Sequence, residues 1–189
     1  MNIEYFNEYF EDLKRISDSL FLYQKEVDLF LDLLELTKEK NGKVIIAGNG
    51  GSATIASHFS VDLTKVSKIR CINFNEPGLI TCFGNDYGYE HWLQKALESF
   101  VDMQDIVILI SSKGESKNIL NAAKWLKTRG ISLITFSGFD RSNSLNSIGG
   151  INFWVDSNQY NKVELTHLTW LLAINDFFAN STASNQVIR

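Results

Sequence analysis

Proline occurs once, cysteine twice and histidine three times among 189 residues. So few cysteines cannot build a disulfide framework, and Cys71 and Cys82 do not fit a metal-ligand spacing. A reducing cytoplasm is the compartment this predicts. An excess of one charge is missing too: 18 Lys and Arg stand against 22 Asp and Glu, a net charge of −4. That excludes a dominant nucleic-acid or anionic-membrane surface and leaves room for a local basic pocket. No uncharged apolar run approaches a membrane span. The opening MNIEYFNEYFEDLKR is acidic and aromatic, unlike a signal peptide. Repeats and low-complexity linkers are also lacking. What is present, 44% hydrophobic and 21% charged residues, suits one packed domain over 1–189.

Apolar spacing divides that chain. In 1–41, Tyr5, Phe6, Tyr9, Phe10, Leu13, Ile16 and Leu20 recur mostly at steps of three and four, then Val27, Phe30, Leu31 and Leu34 do the same. This predicts a pair of helices stopped at Asn41-Gly42. From there the period shortens. Apolar runs at 43–48, 69–74, 105–110, 131–136 and 151–155 alternate with helical stretches, three of them at 53–63, 117–128 and 161–178. The order predicts α/β architecture, a doubly wound parallel sheet with helices on both faces, over 42–180. Residues 181–189 read as a polar, frayed tail. The last helix is apolar nearly all round, which predicts burial against other subunits or under the N-terminal pair.

Ligands of such sheets bind beyond the carboxyl ends of the strands, where two loops carry polar chemistry. Gly48-Asn49-Gly50-Gly51-Ser52 opens a helix, so free amides and the helix dipole point at its ligand. The loop is neither GxxxxGK[ST] nor GxGxxG, and alone it also fits a plain tight turn. The second loop, Ser111-Ser112-Lys113-Gly114-Glu115-Ser116, places three hydroxyls and a cation at a strand-to-helix junction. One serine could be an N-cap; three favour a phosphate cradle.

Together with His58-Phe-Ser-Val-Asp62-Leu63, Gly84-Asn-Asp-Tyr-Gly88 and Glu164-Leu-Thr-His167, these loops stand in the order and near the spacing of a known family. The sequence resembles the sugar isomerase (SIS) domain family, and within it the D-sedoheptulose 7-phosphate, or phosphoheptose, isomerases. The resemblance implies a five-stranded parallel sheet and a homotetramer with active sites between subunits. It implies aldose–ketose isomerisation of a heptose phosphate, the entry to heptose for bacterial surface polysaccharides. Ser111, Ser112, Lys113 and Ser116 would hold the phosphate. Asn49, Gly50, Gly51 and Ser52 would meet the sugar, with Asn85 and Asp86 closing the pocket. The resemblance requires no cofactor, but family members often bind zinc at this site, and His58 and Asp62, with Glu164 of the same or another subunit, could hold it here.

The catalytic half departs from the family. Its base position holds Asp62 in place of glutamate, a reach shorter by roughly 1.5 Å. Its acid position holds Leu172, which cannot exchange a proton. Glu164 replaces a glutamine, Asn161 an aspartate and Lys113 a serine. Three readings follow. The enzyme works with a rearranged shuttle of Asp62, Glu164 and His167, the last two sharing a helix face. Or the domain binds a phosphosugar without isomerising it, as a regulator or interaction tetramer. Or the substrate is a different phosphosugar. His91 reads as structural.

Overall fold

In the computed structural model, residues 3–186 are described, with side chains through residue 181. Helices α1 (Ile3–Asp18) and α2 (Gln24–Glu39), joined by a 3-10 turn, precede a core in which β1 (Val44–Gly48), α3 (Gly51–Lys65) and β2 (Cys71–Asn73) come first. Then follow α4 (Pro77–Tyr87), α5 (Trp92–Phe100), β3 (Ile106–Ile110), α6 (Lys117–Arg129), β4 (Ser132–Gly138), β5 (Ile151–Val155) and α7 (Tyr160–Gln186). The five strands are parallel and ordered β2-β1-β3-β4-β5. No helix among the described residues is long and apolar enough to cross a membrane.

The sheet is covered twice because its central strands are apolar on both faces. VIIAG of β1 and IVILI of β3 are buried throughout. Val44, Ile46, Ile106, Ile108 and Ile110 face α1, α2, α3 and α7, joining Ile16, Phe30, Phe59 and Trp170 in one core. The alternate residues Ile45, Ala47, Val107 and Leu109 face α5 and α6 in a second core with Trp92, Leu97 and Leu126. Each fully buried Ile or Leu stabilises the fold by roughly 1.5–3 kcal/mol.

The N-terminal pair is part of this packing. Trp170 Nε1 donates to the Ser17 carbonyl at 2.8 Å, and Lys162 Nζ meets Asp12 at 2.6 Å. The hydrogen bond from Lys162 holds the Asp12 carboxyl below its ordinary pKa. α1 thus covers much of α7, while Leu165 and Phe177 stay exposed on the chain by itself.

Three features differ from the sequence expectation. α7 runs past Phe178 to Gln186, since no glycine or proline stops it there; of the expected tail, 187–189 lies outside the described residues. α4 and α5 fill the stretch between β2 and β3. PGLITCFGNDY holds two glycines and little periodicity, yet Pro77 opens α4 and Glu76 caps it, accepting from Leu79 N at 2.7 Å. Lastly, Tyr5, Phe6 and Phe10 belong to the apolar stripe of α1 but remain exposed.

Candidate active site

The strand order fixes where a ligand can bind. From β1 the chain moves outward to β2, then returns to the other side of β1 as β3. The loops after β1 and β3 therefore part and leave a crevice at the switch point. Asn49, Ser52, Ser111, Ser112, Ser116 and Glu164 line a cavity of about 280 Å³ there, together with Lys113, Glu115 and Tyr160.

At the start of α3 the Ser52 and Ala53 amides already donate to the Asn49 and Gly50 carbonyls at 3.0 Å, whereas α6 makes its first such bond from Leu120 N to the Ser116 carbonyl at 2.9 Å, leaving the amides before it open. α3 begins after Gly50, at φ 55°, and α6 after Ser116; neither has a side-chain cap. Ser116 is thus no ordinary N-cap: its Oγ accepts from Ser111 Oγ at 3.3 Å. Ser111 and Ser112 are nearly buried. Hydroxyls beside the open start of α6 are an arrangement that suits an anion.

Loop 111–116 is held from behind. Gly114 turns at φ 70°, and a Cβ there would strike Asn143 Oδ1. Asn143 is buried and donates to Ser137 Oγ at 3.1 Å and the Asp140 carbonyl at 2.7 Å. Glu115 accepts from Ser144 N and Oγ at 2.7 and 2.9 Å. The opposite loop is fixed by amides: Asn49 and Asn118 exchange hydrogen bonds of 2.9 and 3.0 Å, and Tyr89 OH donates to Asn49 Oδ1 at 3.1 Å.

Glu164 joins this cavity to another. Its Oε1 accepts from Ser112 Oγ at 3.3 Å, and its carboxylate lies where a Cβ on Gly51 would be. It also lines a cavity of about 410 Å³ with Tyr9, Thr54, His58, Asn161 and Leu168. His58 Nε2 lies 3.3 Å from Asp62 there, both side chains partly exposed.

His167 is a correction. It does not share the cavity with Glu164, because the helix turn between them carries it into the core. It is fully buried, edge-on to Phe136 at 5.6 Å, with Nε2 at 3.0 Å from the Ser137 carbonyl. Burial pushes its pKa down to about 4, against the opposing Ser137 bond. A neutral imidazole enclosed in this way cannot act as an acid on a ligand.

The zinc ligand set does not assemble within one chain. His58 and Asp62 meet, but no group of three His, Cys, Asp or Glu among the described residues could hold a metal ion. Glu164 extends toward Ser112 instead, so the residues do not fit a zinc centre within one chain. Asn85 and Asp86 also stand apart, exposed at the end of α4, with Asn85 Nδ2 donating to Asp86 at 3.0 Å. His91 flanks α5 and contacts Asn121 Nδ2 at 3.4 Å.

Several residues of the site escape a sequence reading. Asn118, Tyr89, Asn143 and Tyr160 belong to no motif. Only Asn118 leaves a signal, a buried amide on the otherwise apolar inner face of α6.

Comparison with known proteins decides the family. A model of the SIS domain matches residues 4–138. The chain belongs to the SIS domain family, in its phosphoheptose isomerase branch. A phosphoheptose isomerase of Helicobacter pylori is 35% identical over 136 residues, covering 69% of each chain. One of Cytophaga hutchinsonii is 32% identical over 122 residues, 62% of this chain and 64% of that relative. For the latter the aligned stretch is thus under two thirds of its length. The solved structure of a Francisella tularensis phosphoheptose isomerase superposes on this SIS chain with a TM-score of 0.85. It covers 95% of this chain and 99% of that one at 23% identity, a likeness of fold.

Proposed function

We propose that the chain interconverts the aldose and ketose forms of a phosphorylated sugar through an enediol, sedoheptulose 7-phosphate being the first substrate to try. The observation that carries this reading is Glu164, a carboxylate shared by the hydroxyl-lined cavity and the cavity containing His58. A phosphate held by Ser111, Ser112, Ser116 and the start of α6 would direct the open carbon chain past Asn49, Gly50 and Gly51 toward Glu164.

The reaction moves one proton from C2 to C1 and another from O2 to O1. A carboxylate beside the chain suits the carbon transfer, and we assign it to Glu164. His58 is assigned the oxygen-bound proton. Asp62, expected as the base, lines neither cavity and is assigned the orientation of His58. No step is routed through zinc.

We further propose that residues 1–189 act as one unit that forms a homotetramer in the cytoplasm. Phe10, Val61, Leu165 and Phe177 are exposed apolar residues on α1, α3 and α7, the helices bordering the larger cavity. A second copy covering them would close that cavity, and Asn85 and Asp86 would complete a site across such a contact.

The test is solvent deuterium uptake at C2 of the aldose when the protein is given sedoheptulose 7-phosphate. Wild type should exchange. Glu164→Gln should lose at least about 100-fold in exchange while still binding the sugar. A second reading, a phosphosugar binder without catalysis, is favoured by Leu172 and the enclosed His167. Measurable binding with no exchange in the wild type would establish it and end the isomerase reading.

A further inference from the structure

Three charged side chains line the strand-end cavity among the described residues: Glu115, Glu164 and Lys113. Glu115 is committed to Ser144. Glu164 presents its carboxylate 3.3 Å from a cradle hydroxyl, where an arriving phosphate would meet like charge. Lys113 is the only cation of the set, and it has no carboxylate partner among the described residues. Its ammonium rests over two rings, 5.5 Å from the centroid of Phe139 and 5.4 Å from that of Tyr160.

That seat is built rather than incidental. Phe139 and Tyr160 lie 4.9 Å apart, one directly after β4 and the other opening α7. Phe139 holds a φ of 57°, a left-handed conformation that bulky residues rarely adopt, with its amide donating to the Ser157 carbonyl at 3.0 Å. Strain of this kind persists where the surroundings over-determine it, and here it sets a ring beneath the lysine.

We propose that Lys113, held on the Phe139–Tyr160 ring pair, is the specificity-determining cation of this cavity, offsetting Glu164 so that the cradle accepts a phosphate monoester dianion. A cation–π contact leaves the ammonium's three hydrogens available, so Lys113 can donate a charge-assisted hydrogen bond to a phosphate oxygen while the rings still hold it. A lysine suits both contacts, being a compact charge with three donors on a flexible stem. The ring seat keeps that charge at the cavity mouth without pairing it to Glu164. The inference rests on the phosphosugar reading above and adds what makes a carboxylate tolerable beside the phosphate.

A double-mutant cycle tests it, with sedoheptulose 7-phosphate and inorganic phosphate as titrants in calorimetry. Lys113→Met should weaken binding by about 10- to 100-fold. In the Glu164→Gln background the same change should cost only about 2- to 5-fold. Tyr160→Leu should cost about threefold through loss of half the seat. Equal losses for Lys113→Met in both backgrounds, or unchanged affinity in Tyr160→Leu, would overturn the proposal. If wild type binds and Lys113→Met binds equally well, this inference fails while the phosphosugar reading stands. If wild type binds neither titrant, both fall.

Discussion

Loop 111–116 and helix α7 face each other across one cavity, yet different constraints aim their side chains. The loop is fixed by backbone: a positive φ at Gly114, a turn from Gly114 N to the Ser111 carbonyl at 2.8 Å, and Asn143 packed behind. Its hydroxyls have little choice of direction. On α7 direction is a matter of angle. Glu164 and His167 are three residues apart, so their side chains diverge by about 60° around the axis. That turn separates a carboxylate open to two cavities from an imidazole enclosed beneath the sheet. Residues named by a loop motif are safer to place than residues named by helical spacing.

The sharpest way to break the comparison is to disturb the backbone of the loop. In Gly114→Val the new side chain meets Asn143, itself buried and hydrogen-bonded, and the left-handed φ disfavours a β-branched residue. The hydroxyls would move by an ångström or more, so sedoheptulose 7-phosphate affinity should fall at least about 100-fold. Thermal unfolding of the same variant should show a loss of about 2–4 kcal/mol. Near-wild-type affinity would mean that the loop tolerates rearrangement and is not preorganised.

His167 tests the other side. Its folded pKa of about 4 lies below the unfolded value near 6.5, so the unfolded chain takes up the proton first. Stability conferred by the neutral imidazole is complete above about pH 6.5 and is lost as pH falls toward 4. The loss should approach about 3 kcal/mol, read from urea unfolding across that window. In His167→Leu the slope should flatten, at a cost of about 1 kcal/mol at pH 7 for the unpaired Ser137 carbonyl. Asp12 does not blur the result. Its pKa is lowered, so its contribution is lost further into acid, as pH falls through the folded value. Deuterium exchange should remain within about threefold of wild type, far less than loss of a proton-transfer group would cost. Abolished exchange in a stable His167→Leu would return the histidine to the reaction.

These contrasts bear on what the sequence could disclose. Five apolar runs with helices between them betray the doubly wound sheet, because VIIAG and IVILI can be buried on both faces only there. Glycines and serines mark the two loops, since few other residues turn so tightly or donate so densely. The uncapped start at Ser116 fits the same logic. By contrast, the rotation of α7 depends on Trp170 and Lys162 docking against Ser17 and Asp12, more than a hundred residues away in sequence. The placing of Asn85 and Asp86 depends on α4, whose helix rests on a capping glutamate and tertiary contacts rather than on periodicity. Such long-range packing leaves no local imprint.

The smallest expected effect concerns a group that neither loop motif names. Asn118 is buried beside the cavity, and its reciprocal bonds with Asn49 decide which way that amide faces. Asn49 Oδ1 accepts from both Asn118 and Tyr89, while Nδ2 gives one hydrogen to Asn118 and keeps the other for a ligand. Without Asn118 the amide can flip and present an acceptor where a sugar oxygen needs a donor. Asn118→Ala should therefore raise KM about 5- to 10-fold with kcat little changed, and Tyr89→Phe about twofold. A fall in kcat at constant KM would place the amide at the reacting carbons instead. An unchanged KM would show that backbone alone holds the Asn49 loop, making it the equal of loop 111–116 in rigidity.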